Sequence, residues 1–260
     1  MMIVADNLRI TQPHIARAVE ALDPLPIRQM AVACRDAGAD AIDINSGPLS
    51  RDAEKKMTFL VETVQAAVDL PLVLDTTNPA AMAAGLAAVR QPAIINGVSL
   101  EPGKLERILP LAGEHGADLV CYLLRPDGHV PPDANGRLES AVALFNECQA
   151  AGIDQERLIF DPIVAPLVWQ DGNRQNIANL EVIRTLPELL GFPVRSMAGL
   201  SNLTAGAPDA NTRICYQSAF LPMLAAAGVT IMLMNALDPK LVDLARACRN
   251  ITGEGIFSWI

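Results

Sequence analysis

The sequence predicts a (β/α)8 TIM barrel built as a single domain over residues 1–260, and three observations predict it. Eight short apolar runs each close on Asp, Asn or Arg: MIVADN at 2–7, ADAIDIN at 39–45, LPLVLDTTN at 70–78, PAIIN at 92–96, ADLVCYLLR at 117–125, LIFDP at 158–162, MAGLSN at 197–202 and VTIMLMN at 229–235. Runs this short, rich in Val, Ile and Leu, read as strands buried on both faces. The closing residues Asn7, Asp43, Asp75, Asn96, Arg125, Asp161, Asn202 and Asn235 lie 21 to 41 positions apart, room for one strand, one helix and two loops. Finally, 260 residues match the usual size of one such barrel, roughly 250, and leave little chain for a second domain.

Each element can be justified in turn. After the first strand, 11–20 and 23–37 read as two helical pieces split by LDPLP, the second stopping at Gly38. The second strand delivers Asp43 and Asn45, two apart and so on one side. Its loop, SGPLSRD, carries Gly47 and Pro48 and reads as rigid. A helix over 52–68 follows, with Phe59, Leu60, Val64 and Val68 as its apolar stripe. The third strand ends at Asp75 and Asn78, and Pro79 opens an Ala-rich helix to 89 that must be well covered. The fourth ends at Asn96, with a helix over 102–115 stopped by Gly116.

The fifth strand ends at Arg125, before a proline-rich rim loop and a helix over 137–151. The sixth ends at Asp161-Pro162, and the segment IVAPLVWQDGNRQN, with Trp169, is expected to fold over an edge of the mouth before a helix over 177–190. After Asn202, LTAGAPDANTR reads as a mobile loop and a candidate lid. Helices over 214–227 and 241–249 flank the last strand.

Composition narrows the function classes. Hydrophobic residues make up 51% of the chain but aromatics only 4%, so the core is aliphatic, as layered barrel packing requires. A net charge of −9 would repel nucleic acid and anionic membranes. MMIVADN reaches an acid within six residues without a cationic start, so no secretory signal is expected, and no apolar run approaches the ~20 residues of a membrane span. Cys34, Cys121, Cys148, Cys215 and Cys248 contain no C-x-x-C pair and read as free thiols of a reducing, cytoplasmic compartment. His14, His115 and His129 are too dispersed for an H-x-x-x-H zinc site, and no metal is expected.

Barrel strands end at the functional face. The side chains placed there are Asp43, Asn45, Asp75, Asn78, Asn96, Asp161 and Asn202, with Arg125 as the one cation. Carboxylates and amides without His or Cys supply neither a strong nucleophile nor a base poised near neutrality. They suit recognition of a flat heterocycle that alternates donors and acceptors, because a carboxylate accepts two N–H bonds side by side and an amide both donates and accepts.

The motifs DINSGP at 43–48, LDTTN at 74–78, IIN at 94–96, FDP at 160–162 and GLSN at 199–202, in this order on successive strands, resemble the pterin-binding barrel family. Within it the likeness is greatest to methyltetrahydrofolate:corrinoid protein methyltransferases. The resemblance implies that Asp43, Asp75, Asn96, Asp161, Ser201, Asn202 and Arg213 bind the pterin of tetrahydrofolate or 5-methyltetrahydrofolate. It implies that Asn202 acts catalytically at N5, and that the corrinoid (cobalamin) arrives on a separate protein, since D-x-H-x-x-G is missing here. It also implies a homodimer. Three departures accompany it: the first strand ends ADNLR where relatives read G-E-R-I-N, leaving Asp6 and Asn7 without matched roles; the loop before Arg213 is longer; and SGPLSRD replaces the Ser-Thr-Arg loop of dihydropteroate synthases. The alternatives are dihydropteroate synthase-like chemistry and a folate-binding subunit without catalysis.

Overall fold

The computed structural model describes residues 1–253, 255 and 258. Eight parallel strands close into one barrel in chain order: β1 (Met2–Arg9), β2 (Ala41–Asn45), β3 (Leu72–Asp75), β4 (Ile94–Val98), β5 (Asp118–Tyr122), β6 (Leu158–Asp161), β7 (Arg195–Gly199) and β8 (Ile231–Met234). Helices α1 (Pro13–Ala21) and α2 (Pro24–Ala37) follow β1. One helix follows each later strand: α3 (Ala53–Gln65), α4 (Pro79–Ala88), α5 (Leu105–Glu114), α6 (Ala134–Ala150), α7 (Gly172–Leu190), α8 (Ala210–Ala227) and α9 (Pro239–Thr252). The predicted barrel is therefore the observed one.

The alternation of side chains along each strand builds two cores. Outward residues such as Ala5, Ile42, Leu74, Ile95, Leu119 and Phe160 pack with the helices. Inward residues Val4, Ala41, Val73, Ile94, Val120, Ile159, Met197 and Ile231, one from each strand, form a separate apolar layer that plugs the lumen. The Ala-rich α4 spends its small side within the chain: a Cβ on Gly85 would lie 2.8 Å from Met57 Cγ of α3.

Four helices, α6 to α9, start earlier than their sequence periodicity indicates, each because a polar residue ahead of the apolar stripe finds a partner, as Asp238 does in capping α9. Asp133 caps α6 by accepting from Gly136 N, and Asp209 caps α8 by accepting from Thr212 N. α7 begins at Gly172 instead of 177 because Gln175 and Asn176, polar and buried, bond across to neighbouring elements. The loop anticipated after Asn202 is shorter than expected and spans 205–209. Leu200–Thr204 is a 3-10 turn, α8 starts at Ala210, and Gln217 Nε2 donates to Thr204 Oγ1 at 2.7 Å, which pins the segment to α8. Trp169 is half exposed. It does not line the mouth cavity; the segment expected at the edge of the mouth reaches it through its first residue, Ile163. The SGPLSRD loop is held as anticipated, with Thr76 Oγ1 donating to Gly47 O at 2.7 Å and Asn78 Nδ2 to Leu49 O at 3.2 Å.

Candidate functional site at the barrel mouth

Counting two residues up from each member of the apolar plug gives Asp6, Asp43, Asp75, Asn96, Tyr122, Asp161, Gly199 and Leu233. All eight line one cavity of about 280 Å3 at the C-terminal ends of the strands. Period two thus carries an apolar layer directly into a polar one, which is what a packed barrel with a functional mouth demands.

A bulge sharpens this in β1. Ala5 pairs with Ile42 and Leu8 with Ile44, so Asp6 and Asn7 together stand opposite Asp43. The extra residue resets the alternation: Leu8 turns to the helices, while Asp6 and Arg9 both reach the cavity. Asn7 is released sideways, donating to Asn235 Oδ1 at 2.6 Å and accepting from Ala236 N at 2.9 Å. Asn7 and Asn235 therefore stitch the first strand to the end of the last; Asn235 also lines a second cavity beside the mouth, and Asn7 lines neither.

Two further mouth assignments are corrected. Arg125 is exposed, three residues beyond β5, which ends instead on Tyr122; Tyr122 Oη donates to Asn96 Oδ1 at 2.7 Å inside the cavity. Asn78 is the N-cap of α4, its carbonyl accepting from Ala80 N and Ala81 N. The structure does bring together Asp43, Asn45, Asp75, Asn96, Asp161, Ser201 and Asn202 around the one cavity. Asn45 Nδ2 donates to Asp75 Oδ2 at 2.5 Å, and the Ser201 hydroxyl donates to Asp6 Oδ2. Gly199 leaves space for Asn202: a Cβ there would lie 3.1 Å from Asn202 Nδ2. Arg213, on the first turn of α8, faces a neighbouring cavity of about 380 Å3 that shares Arg9, Ser201 and Asn202 with the mouth.

Sequence reasoning missed Tyr122, Arg9 and Ile163 and left Asp6 unplaced. Tyr122 and Asp6 could have been found by counting two from Val120 and Val4. Arg9 depends on the bulge and Ile163 on a loop conformation, neither of which has a local sequence signal.

The electrostatics are one-sided. Among the described residues, four carboxylates surround the cavity, with Arg9 as the one cation. Asp43 is held well above the usual carboxylate range, first by burial and then by the Asp75 and Asp6 carboxylates. Burial pushes Asp75 up to about 6 and Asp161 up to about 7, the latter opposed by the Ile163 N–H and by Arg137. Burial also raises Asp6, against the Ser201 hydroxyl and Arg9, which lies 3.6 Å away. Asp6 Oδ1 and Asp43 Oδ1 are buried without a hydrogen-bond partner among the described residues. Such oxygens cost free energy unless a donor arrives, so the cavity is built to accept N–H groups from a compact, donor-rich ligand. Among the described residues, no group of three or more His, Cys, Asp or Glu is arranged to hold a metal ion.

Comparison with known proteins agrees with this chemistry. Residues 10–235 match the family model described as pterin binding enzyme. A methylcorrinoid:tetrahydrofolate methyltransferase of Eubacterium limosum is 27% identical over 212 residues, covering 80% of this chain and 76% of that protein. The methionine synthase of Mycobacterium tuberculosis is also 27% identical, over 76% of this chain but only 17% of its own length. Among solved structures, dihydropteroate synthase from Xanthomonas albilineans superposes with a TM-score of 0.68 at 22% identity, covering 98% of this chain and 94% of that one. The Vibrio fischeri enzyme gives 0.69 at 17%, over 98% and 94%. At these identities the structural likeness establishes the fold.

Proposed function

The chain belongs to the pterin-binding enzyme family, and from that premise we propose that it is a methyltransferase moving a methyl group between N5 of tetrahydrofolate and the cobalt of a corrinoid carried by a separate protein. The observation that carries the reading is the ring of carboxylates with two unpartnered buried oxygens. A pterin offers an amino group and ring N–H donors along one edge, and Asp43, Asp75 and Asp161 with Asn96 would accept them and fix the ring in plane. The second cavity, with Arg9 and Arg213, supplies the cationic surface that a carboxylate-bearing folate tail needs and a bare pterin does not.

Asn202 stands on the rim shared by the two cavities. There its amide would hydrogen-bond N5 as that nitrogen gains protonated character, stabilising the transition state without a full proton donor. The corrinoid supplies the cobalt that accepts or gives up the methyl group. What this chain contributes is to hold N5 at the open mouth, where the partner protein can approach in line. The dihydropteroate synthase reading receives less support, since SGPLSRD replaces the loop of those enzymes and position 202 is Asn, not Lys. A cytoplasmic homodimer, acting as one 1–260 domain, completes the proposal. Among the described residues no helix is long and apolar enough to cross a membrane.

The test is methyl exchange under strict anoxia, from methylcobalamin to tetrahydrofolate and from methyltetrahydrofolate to cob(I)alamin, followed in the corrin absorption bands. Exchange is expected, and Asn202→Ala should slow it while leaving folate affinity within about threefold. Folate binding without exchange, even to the native corrinoid protein, would leave only a binding subunit; product from a pterin pyrophosphate and p-aminobenzoate would restore the synthase reading.

A further inference from the structure

Outside the mouth lies a second buried polar cluster whose hydrogen bonds converge on the loop that follows Asp161. Arg137 of α6 is fully buried. Its Nε donates to Pro131 O at 2.9 Å, its Nη1 to Gln175 O at 2.9 Å and to Asn179 Oδ1, and its Nη2 to Gln175 Oε1 at 2.9 Å. Asn179, also fully buried, passes the connection on: its Nδ2 donates to Ile163 O at 3.0 Å. Ile163 N in turn donates to Asp161 Oδ1 at 2.8 Å. Two residues on, Asn176 grips Ala165 from both sides, accepting from its N at 2.9 Å and donating to its O at 2.8 Å.

Ile163 is the position under load. It adopts φ +66, a conformation that β-branched residues rarely take, and it lines the cavity. In that conformation its N–H bonds Asp161 while its carbonyl accepts from Asn179 of α7. A strained turn persists when its surroundings over-determine it, and here the grip comes from Asn179 on one side and the Asp161 carboxylate on the other. With Oδ1 occupied by Ile163, no hydrogen bond to Oδ2 comes from the described residues, and that oxygen is the one available to a ligand.

We infer that Asn179, oriented by Arg137, is a positioning residue of the site: neither lines the cavity, and together they clamp the Ile163 turn that aims Asp161 and supplies its hydrogen-bond donor. The inference has two parts, the aiming of Asp161, which needs no assumption about function, and the effect on folate, which rests on the function proposed above. The charged and titratable groups facing Asp161 are Asp6, Asp43, Asp75 and Arg9 around the cavity, Tyr122 on β5 and Arg137 behind. Loss of the clamp removes the Ile163 N–H, the one donor that the described residues give the ionised form, and leaves these charged groups in place.

The experiment reads the carboxyl carbon of Asp161 by NMR in the ligand-free full chain, its resonance identified by its loss in Asp161→Asn. Asn179→Ala and Asn179→Gln, the second keeping an amide but displacing it by one methylene, should both raise the titration midpoint by about half a pH unit or more. Ile163→Gly, which enters a left-handed turn without strain, should make the midpoint insensitive to Asn179→Ala. Folate affinity near neutral pH should fall about tenfold in Asn179→Ala and show no comparable fall when Asn179→Ala is added to Ile163→Gly. A midpoint unchanged in folded Asn179 variants, or a shift equally large in the Ile163→Gly background, overturns the inference. If the wild-type chain binds no folate, the proposed function fails while the NMR arm still decides the positioning role.

Discussion

The buried polar cluster around Arg137 and the one at the barrel mouth are opposites. Around Arg137 the protein meets its own needs: the guanidinium is shared among Pro131, Gln175 and Asn179, and Gln175 Nε2 donates onward to Asp171 at 2.9 Å. Around the mouth four carboxylates crowd together with one arginine, two buried oxygens have no partner, and the pKa values of all four are raised. Both clusters cost desolvation, and burial lowers the Arg137 pKa to about 10, but only the first has its buried polar atoms hydrogen-bonded within the chain. A buried network satisfied by protein rigidifies a scaffold, whereas one left incomplete waits for a ligand to complete it.

The largest expected effect falls on the satisfied cluster. Arg137→Met should destabilise the fold by about 3–5 kcal/mol in chemical denaturation, because it strands the acceptors now bonded to the guanidinium. A loss below about 1 kcal/mol would mean that this cluster is no better satisfied than the mouth. The mouth should show the reverse pattern, little stability lost but ligand affinity lost instead. Asp161→Ala or Asp75→Ala should weaken folate binding by about 1–3 kcal/mol in calorimetry, each leaving a pterin donor unpaired.

The pH response should separate the clusters further. A carboxyl whose folded pKa lies above its ordinary 3.8 binds more protons in the folded state, so its contribution is fully present below that value and is lost as pH rises through the folded pKa. With Asp75 at about 6 and Asp161 at about 7, the ligand-free protein should lose stability between about pH 4 and pH 7. The slope should reach up to ~1.4 kcal/mol per pH unit for each group, and Asp161→Asn should flatten it. Melting temperatures that rise over this range would contradict the assignment. The smallest effect is expected from Tyr122→Phe, which deletes only the bond to Asn96 and should cost about 0.5–1.5 kcal/mol of folate affinity. An effect as large as that of Asp161→Ala would move Tyr122 from support to direct recognition.

Strand parity explains how much of the site could be read in advance. Asp43, Asp75, Asn96 and Asp161 sit two residues above Ala41, Val73, Ile94 and Ile159, and for these the first polar residue that follows the apolar strand body is also the inward one. Taking the terminal polar residue of the run failed elsewhere. Asn7 is one residue off parity in a bulge, Arg125 lies beyond the end of β5, and Asn235 overshoots the inward Leu233 by two and bonds across the seam. Helix starts were misread for a related reason, since caps such as Asp133 and Asp209 precede the apolar periodicity that reveals a helix.

By itself the sequence determined the barrel, its strand order and the acidic, amide-lined character of its mouth, because these follow from period-two alternation and from spacings along one chain. The tertiary structure alone decided which polar residues reach the ligand and which serve the fold. That choice rests on the β1 bulge that brings Arg9 inward, on Asn7 and Asn235 meeting from opposite ends of the chain, and on the clamp from Arg137 and Asn179 to Ile163. Each is a contact between residues distant in sequence, and local composition encodes what a segment prefers, not what it will meet.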